Sequence, residues 1–128
     1  MRKYIPVLLL MFLCAGCAAP AVPQPGYRQI TGEEALIIMA EEKGYIILDV
    51  RTPEEFSEKH IPGAINIPNE TIGTEKIPQL PDQDQMILVY CRSGNRSKQA
   101  SEKLAAMGYT NIVEFGGIND WPGEIVRE

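Results

Sequence analysis

Cys91-Arg92-Ser93-Gly94-Asn95-Arg96-Ser97 is the stretch of this sequence best equipped for chemistry: a thiol followed closely by two arginines. Before it, Met86-Ile87-Leu88-Val89-Tyr90 is an apolar run of strand length. After it, Ala100, Leu104, Ala105 and Met107 recur at helical spacing. The cysteine therefore stands where a strand gives way to a helix. A short turn at a helix N-terminus can aim successive backbone N–H groups at one point, and the helix dipole adds to that positive field. Such a site suits anion chemistry, and with arginines beside it the thiolate is its natural occupant. Gly94 gives the turn backbone conformations closed to other residues. The alternative is a core cysteine packed at a strand end, against which the two neighbouring arginines weigh.

These seven residues closely resemble the active-site loop of single-domain rhodanese-like sulfurtransferases. The resemblance implies that Cys91 is the catalytic residue and carries a persulfide sulfur inside a ring of loop amides. It also implies that Arg92, Ser93, Gly94, Asn95, Arg96 and Ser97 form the substrate-binding loop. Related phosphatases have a Cys-x5-Arg loop around a phosphate. The Cys-x4-Arg loop of this chain is one residue shorter, which favours sulfur over phosphate. The resemblance extends over about residues 27–123. It includes Asp49-Val50-Arg51, the segment His60-Ile61-Pro62-Gly63-Ala64-Ile65-Asn66-Ile67, and the ending Gly116-Gly117-Ile118-Asn119-Asp120-Trp121.

The elements that must position this loop read as alternating strand and helix. Tyr27-Arg28-Gln29-Ile30 is a short edge strand, and Thr31-Gly32-Glu33-Glu34 is a capping box opening a helix with Ala35, Leu36, Met39 and Ala40 on its apolar face, stopped by Gly44. Tyr45-Ile46-Ile47-Leu48 is continuously apolar, as a central parallel strand covered on both faces should be. It delivers Asp49 to the carboxyl edge of the sheet, where ligand sites of such sheets lie. Asp49 and Arg51 are expected to support the loop. Asp49 is expected to pair with a loop arginine, Arg96, and Arg51 to add positive field; a pair of solvated charges or a simple helix-entry network is the alternative. Thr52-Pro53-Glu54-Glu55 is a second capping box, with proline at the first helical position, and its short helix runs through Lys59. His60, before a Pro-Gly turn, is read as a packed, hydrogen-bonded histidine rather than a general base. Ile72, Ile77 and Leu80 suggest a weak short helix between Asn69 and Asp84. Gly108 stops the helix after the loop, Asn111-Ile112-Val113-Glu114-Phe115 is the last strand, and a glycine turn leads into a short closing helix where Trp121 plugs the core. The fold class expected is α/β: a three-layer rhodanese-like domain with a mostly parallel central sheet flanked by helices.

The chain has 128 residues, enough for one compact domain. A formal net charge of -5 with 45% hydrophobic and 23% charged residues is an ordinary globular composition without a basic stripe, so no nucleic-acid partner is expected. No metal-ligand spacing and no nucleotide fingerprint occurs, and neither cofactor nor metal is implied. Arg2 and Lys3 followed by apolar Ile5 to Leu13 read as an export signal too short to span a bilayer. Ala15-Gly16-Cys17 resembles a bacterial lipoprotein processing site, with leucine one residue further back than usual. The organisation expected is a signal peptide over 1–16, a lipidated Cys17 with a proline-rich tether over 17–26, and the domain over 27–128. An ordinary secretory signal is the alternative. Either way the domain is exported, and the lipid would hold it on the bacterial cell envelope. Nine residues containing Pro20, Pro23 and Pro25 could set the domain roughly 25 Å from the membrane surface.

Of Cys14, Cys17 and Cys91, the first leaves with the signal and the second takes the lipid, so Cys91 remains without a disulfide partner. A lone thiol in an oxidising compartment asks for a reason, and chemistry at Cys91 supplies one. A monomer is expected, and the resemblance implies a sulfurtransferase. It would take a sulfane sulfur from a small anionic donor, thiosulfate or a persulfide, and hand it to a thiophilic acceptor, a thiol, cyanide or a protein. Two other readings stand beside it: a sulfur-relay or protein-binding module without small-molecule turnover, and a phosphatase or arsenate reductase, which the loop length disfavours.

Overall fold

The computed structural model describes residues 26–127. The expected export signal, the cysteine expected to carry a lipid, Cys17, and the expected tether up to residue 25 lie outside the described residues. The elements in chain order are β1 (Arg28–Gln29), α1 (Gly32–Glu41), β2 (Ile46–Asp49), α2 (Pro53–Glu58), β3 (Ile65–Asn66), β4 (Ile87–Cys91), α3 (Asn95–Ala106) and β5 (Ile112–Gly117), with single 3-10 turns at Asn69–Thr71 and Ile118–Asp120. The five strands form one parallel sheet in the order β1-β5-β4-β2-β3. This is the α/β architecture expected.

Strand parity sorts the core into two layers, because successive side chains of a strand point to opposite faces. Leu48, Val50, Ile87, Val89, Cys91 and Ile112 pack with Ala100 and Leu104 of α3 on one face. Ile47, Leu88, Tyr90, Val113 and Phe115 pack with Ala35 of α1, Ile61 and Ile118 on the other. Cys91 thus points to the face that α3 covers. All five residues of β4 are buried, which is why that stretch is apolar without alternation.

Both capping boxes form. Thr31 caps α1 and is answered by Glu34, and Thr52 caps α2 and is answered by Glu55. Helix α3 ends as the sequence indicates, with Gly108 at a φ of 97°. Its N–H donates to Ala105 and that of Tyr109 to Leu104, a pair of bonds that satisfies carbonyls left over at a helix end. Three expectations are corrected. Gly44 is not the stop of α1, which ends at Glu41 with Glu42 already extended. Between Asn69 and Asp84 there is one 3-10 turn and no α-helix; Pro78 and Pro81 lack the N–H a helix needs, and burial of Ile72 and Leu80 holds the segment instead. The closing helix is likewise a single 3-10 turn.

His60 is packed and hydrogen-bonded, as read. Its Nδ1 lies 2.9 Å from the Phe56 carbonyl, its ring stacks on Phe56 at 3.9 Å, and its backbone pairs with Val126. Trp121 is half-buried against Phe115 and donates its indole N–H to the Glu124 carbonyl.

Candidate functional site

Cys91 is the last residue of β4 and Gly94 the residue before α3, so only Arg92, Ser93 and Gly94 stand between a central strand and a helix N-terminus. Gly94 holds a φ of 111°, a region costly for any residue with a Cβ, and offers no side chain to cap the first-turn amides of α3. Its own N–H donates to Cys91 Sγ at 3.0 Å. The thiol lies 3.3 Å from the hydroxyl of Ser97, one turn into α3. Cys91 is 1% exposed, so its burial matches a core cysteine, but its polar partners do not.

Behind the sulfur lies a carboxylate for which the sequence reading assigned no role. Glu114 in β5 is 2% exposed and accepts the Ser97 hydroxyl at 2.6 Å and the Gly116 N–H at 2.8 Å. The register between β4 and β5 slips here: Val89 faces Glu114, but Cys91 faces Gly117. The extra residue is absorbed at Gly116, whose φ is 88°. That bulge brings Gly117 against the loop so closely that an added Cβ would collide with the Arg92 carbonyl and the Ser93 nitrogen. The sequence does carry a sign of Glu114, since a charge in the apolar strand Ile112-Val113-Glu114-Phe115 calls for a partner.

Ser97 is fully buried, whereas Arg92, Ser93 and Asn95 are exposed. Arg96 is half-buried at the loop's far end. It does not pair with Asp49, as expected from sequence, but with Glu55 of α2 through bonds of 2.6 and 3.0 Å. Glu55 therefore serves twice, closing the capping box of α2 and anchoring the loop arginine. Hydrogen bonding to Arg96 holds the Glu55 carboxyl down at about 2, against the effect of its burial. The Glu55 bond in turn raises Arg96, opposed by desolvation and reinforced by Cys91 nearby.

Asp49 and Arg51 pair with each other, fully inside the protein. Asp49 is 0% and Arg51 2% exposed, with guanidinium-to-carboxylate distances of 2.7 to 3.0 Å. The Arg51 backbone N–H also donates to Asp49, and its guanidinium donates to the Lys59 carbonyl. Arg51 is thus neutralised locally and supplies no field to the loop, a second correction. Burial lowers the Arg51 pKa, and the hydrogen bond and charge of Asp49 more than reverse that. Asn66 donates to the carbonyls of Asp49 and Arg51 and clamps the same turn.

This pattern of elements has relatives. A family model described as the rhodanese-like domain matches residues 33–124. The chain belongs to that family. The thiosulfate sulfurtransferase PspE of Escherichia coli is 41% identical over 73 residues, spanning 57% of this chain and 70% of that protein. The thiosulfate sulfurtransferase GlpE of Pseudomonas entomophila is 32% identical over 106 residues, 79% of this chain and 94% of the relative. Among solved structures, a rhodanese with anions from E. coli superimposes with a TM-score of 0.60 at 39% identity, covering 66% of this chain and 99% of the other.

Proposed function

We propose that this rhodanese-like chain is a thiosulfate-type sulfurtransferase in which Cys91 receives a sulfane sulfur as a persulfide and passes it to a thiophilic acceptor. The observation that carries the reading is the Cys91 sulfur held by the Gly94 N–H at the uncapped N-terminus of α3. Amides aimed at the sulfur would stabilise an anionic persulfide there. Arg92, exposed at the rim, attracts the anionic donor, and Arg96, held by Glu55, keeps positive charge at the loop's far end. The names of the relatives in Escherichia coli and Pseudomonas entomophila support thiosulfate as the donor. Transfer through a covalent intermediate gives ping-pong kinetics. The test is intact mass after incubation with thiosulfate: a gain of one sulfur atom, lost on adding cyanide and missing in Cys91→Ala. Absence of that adduct with thiosulfate and with persulfide donors would remove the enzyme reading and leave a binding module.

The same proposal places the domain outside the bacterial cytoplasm, anchored by a lipid on Cys17. It rests on the small residues before Cys17 and the prolines after it. Cys17→Ala should abolish labelling by a fatty-acid probe, and unchanged labelling would refute the anchor.

A further inference from the structure

Glu114 is a carboxylate buried in the core beside the reactive sulfur, and no cationic side chain among the described residues pairs with it. A buried charge without a counter-charge is costly, so its retention needs an account. Its Oε1 accepts from Ser97 Oγ at 2.6 Å, and the same hydroxyl is the acceptor of the Cys91 thiol at 3.3 Å. Ser97 Oγ also lies 2.9 Å from the Gly94 carbonyl, but the carboxylate is the nearer and stronger acceptor, which orients the hydroxyl proton away from sulfur. The three groups form a continuous line from sulfur to carboxylate, closed to solvent: Cys91, Ser97 and Glu114 are 1%, 0% and 2% exposed.

We propose that Ser97 and Glu114 are a proton relay for Cys91. As the thiol is engaged, its proton passes to Ser97 Oγ and the Ser97 hydroxyl proton passes to the Glu114 carboxylate. The donor is the thiosulfate of the sulfur-transfer reading, on which this sequence of steps rests. Sγ bonds to the sulfane sulfur of thiosulfate, the bond between the two thiosulfate sulfurs breaks, and sulfite leaves with its electron pair. A persulfide anion remains, and Glu114 holds the proton. In the second half a nucleophilic acceptor takes the outer sulfur, the electron pair of the S–S bond returns to Sγ, and the proton returns from Glu114 through Ser97. No outside acid, base or redox partner is required.

Other charges face this line. Arg96 approaches the sulfur from α3 and is itself held by Glu55 of α2. Arg92 stands in solvent on the loop, and on β1 the residue level with Glu114 is the uncharged Gln29, Arg28 being level with Val113 of the other face. The contacts of Glu114 itself are a hydroxyl and an amide.

The test is the pH profile of persulfide formation by stopped flow with thiosulfate, on the purified full-length protein, for the parent, Glu114→Gln and Ser97→Ala. Glutamine keeps an oxygen that can accept both bonds of Glu114 but takes no proton. Both variants should be slower by about tenfold or more near about pH 6 and converge on the parent at alkaline pH, where hydroxide in the medium takes the thiol proton in place of the internal base. A slowing by the same factor at every pH, or no slowing, would overturn the relay in favour of a structural role. Should Glu114→Gln fail to fold, Ser97→Ala carries the same comparison. If the parent forms no persulfide at any pH, the sulfur-transfer reading fails separately. The relay is then read without donor from the thiolate absorbance, with Cys91→Ala as blank. Coupling gives the parent a two-step titration and Glu114→Gln a single step. Coincident curves would overturn the relay.

Discussion

At the scale of single residues, the arginines around the loop have separable tasks. Arg51 is buried with Asp49, so Arg51→Ala strands a carboxylate inside the protein and should cost about 3–5 kcal/mol. Arg96 pairs with a partly exposed Glu55, and Arg96→Ala should cost only about 1 kcal/mol of stability. Thermal melts of the two variants check this ordering; equal destabilisation would contradict the burial argument. Arg92 makes no side-chain bond among the described residues and is exposed. Arg92→Ala is therefore expected to raise KM for an anionic donor several-fold and to weaken its salt dependence, with kcat little changed. Steady-state kinetics at two ionic strengths would show it.

At the scale of elements, the loop is positioned by its contacts with α2 and β5. Glu55 joins α2 to α3, and its carboxyl is depressed from an ordinary 4.5 to about 2. A depressed carboxyl contributes stability that is fully present above its unfolded value and is lost as pH falls through the folded one. The window is therefore from about pH 4.5 down to about 2, and the screened contribution is on the order of 1 kcal/mol. Urea melts across that range should show a shallower loss in Glu55→Gln than in the parent. On the other side, the bulge at Gly116 lets Gly117 touch the backbone of Arg92 and Ser93. In Gly117→Ala the backbone of Arg92 and Ser93 must give way or the bulge must open. Persulfide formation should fall at least tenfold, because catalysis is sensitive to displacements of about 1 Å. A variant as fast as the parent would show that this contact leaves the loop's geometry untouched.

At the scale of the whole molecule, one sheet joins two cores. Leu88 and Val89 are adjacent in β4 and lie in opposite layers, both fully buried. Leu88→Ala should cost about 2–5 kcal/mol, and Val89→Ala should likewise destabilise by leaving a cavity. Because the strand is shared, both variants should still unfold in a single transition that fluorescence and circular dichroism report alike. Probes that separate in either variant would mean that the layers fold independently.

The sequence by itself determined the elements and the place of the thiol. Period and capping are local properties, written in Thr31 with Glu34, Thr52 with Glu55, the apolar run before Cys91 and the glycine after Met107. The parallel sheet follows from alternation, and the family from the loop and its flanking motifs. Only the tertiary structure decided which charge meets which. Asp49 and Arg96 both belong to the carboxyl edge of the sheet, yet Asp49 closes on Arg51 two residues away and Arg96 reaches across to Glu55, forty-one residues distant in sequence. Ion-pair choice depends on side-chain reach and burial after the helices have docked, which no spacing in the chain encodes. The same holds for Glu114. Its charge is legible in the strand, but that it faces Cys91 through Ser97 depends on the slip in register at Gly116, a property of two paired strands rather than of either one.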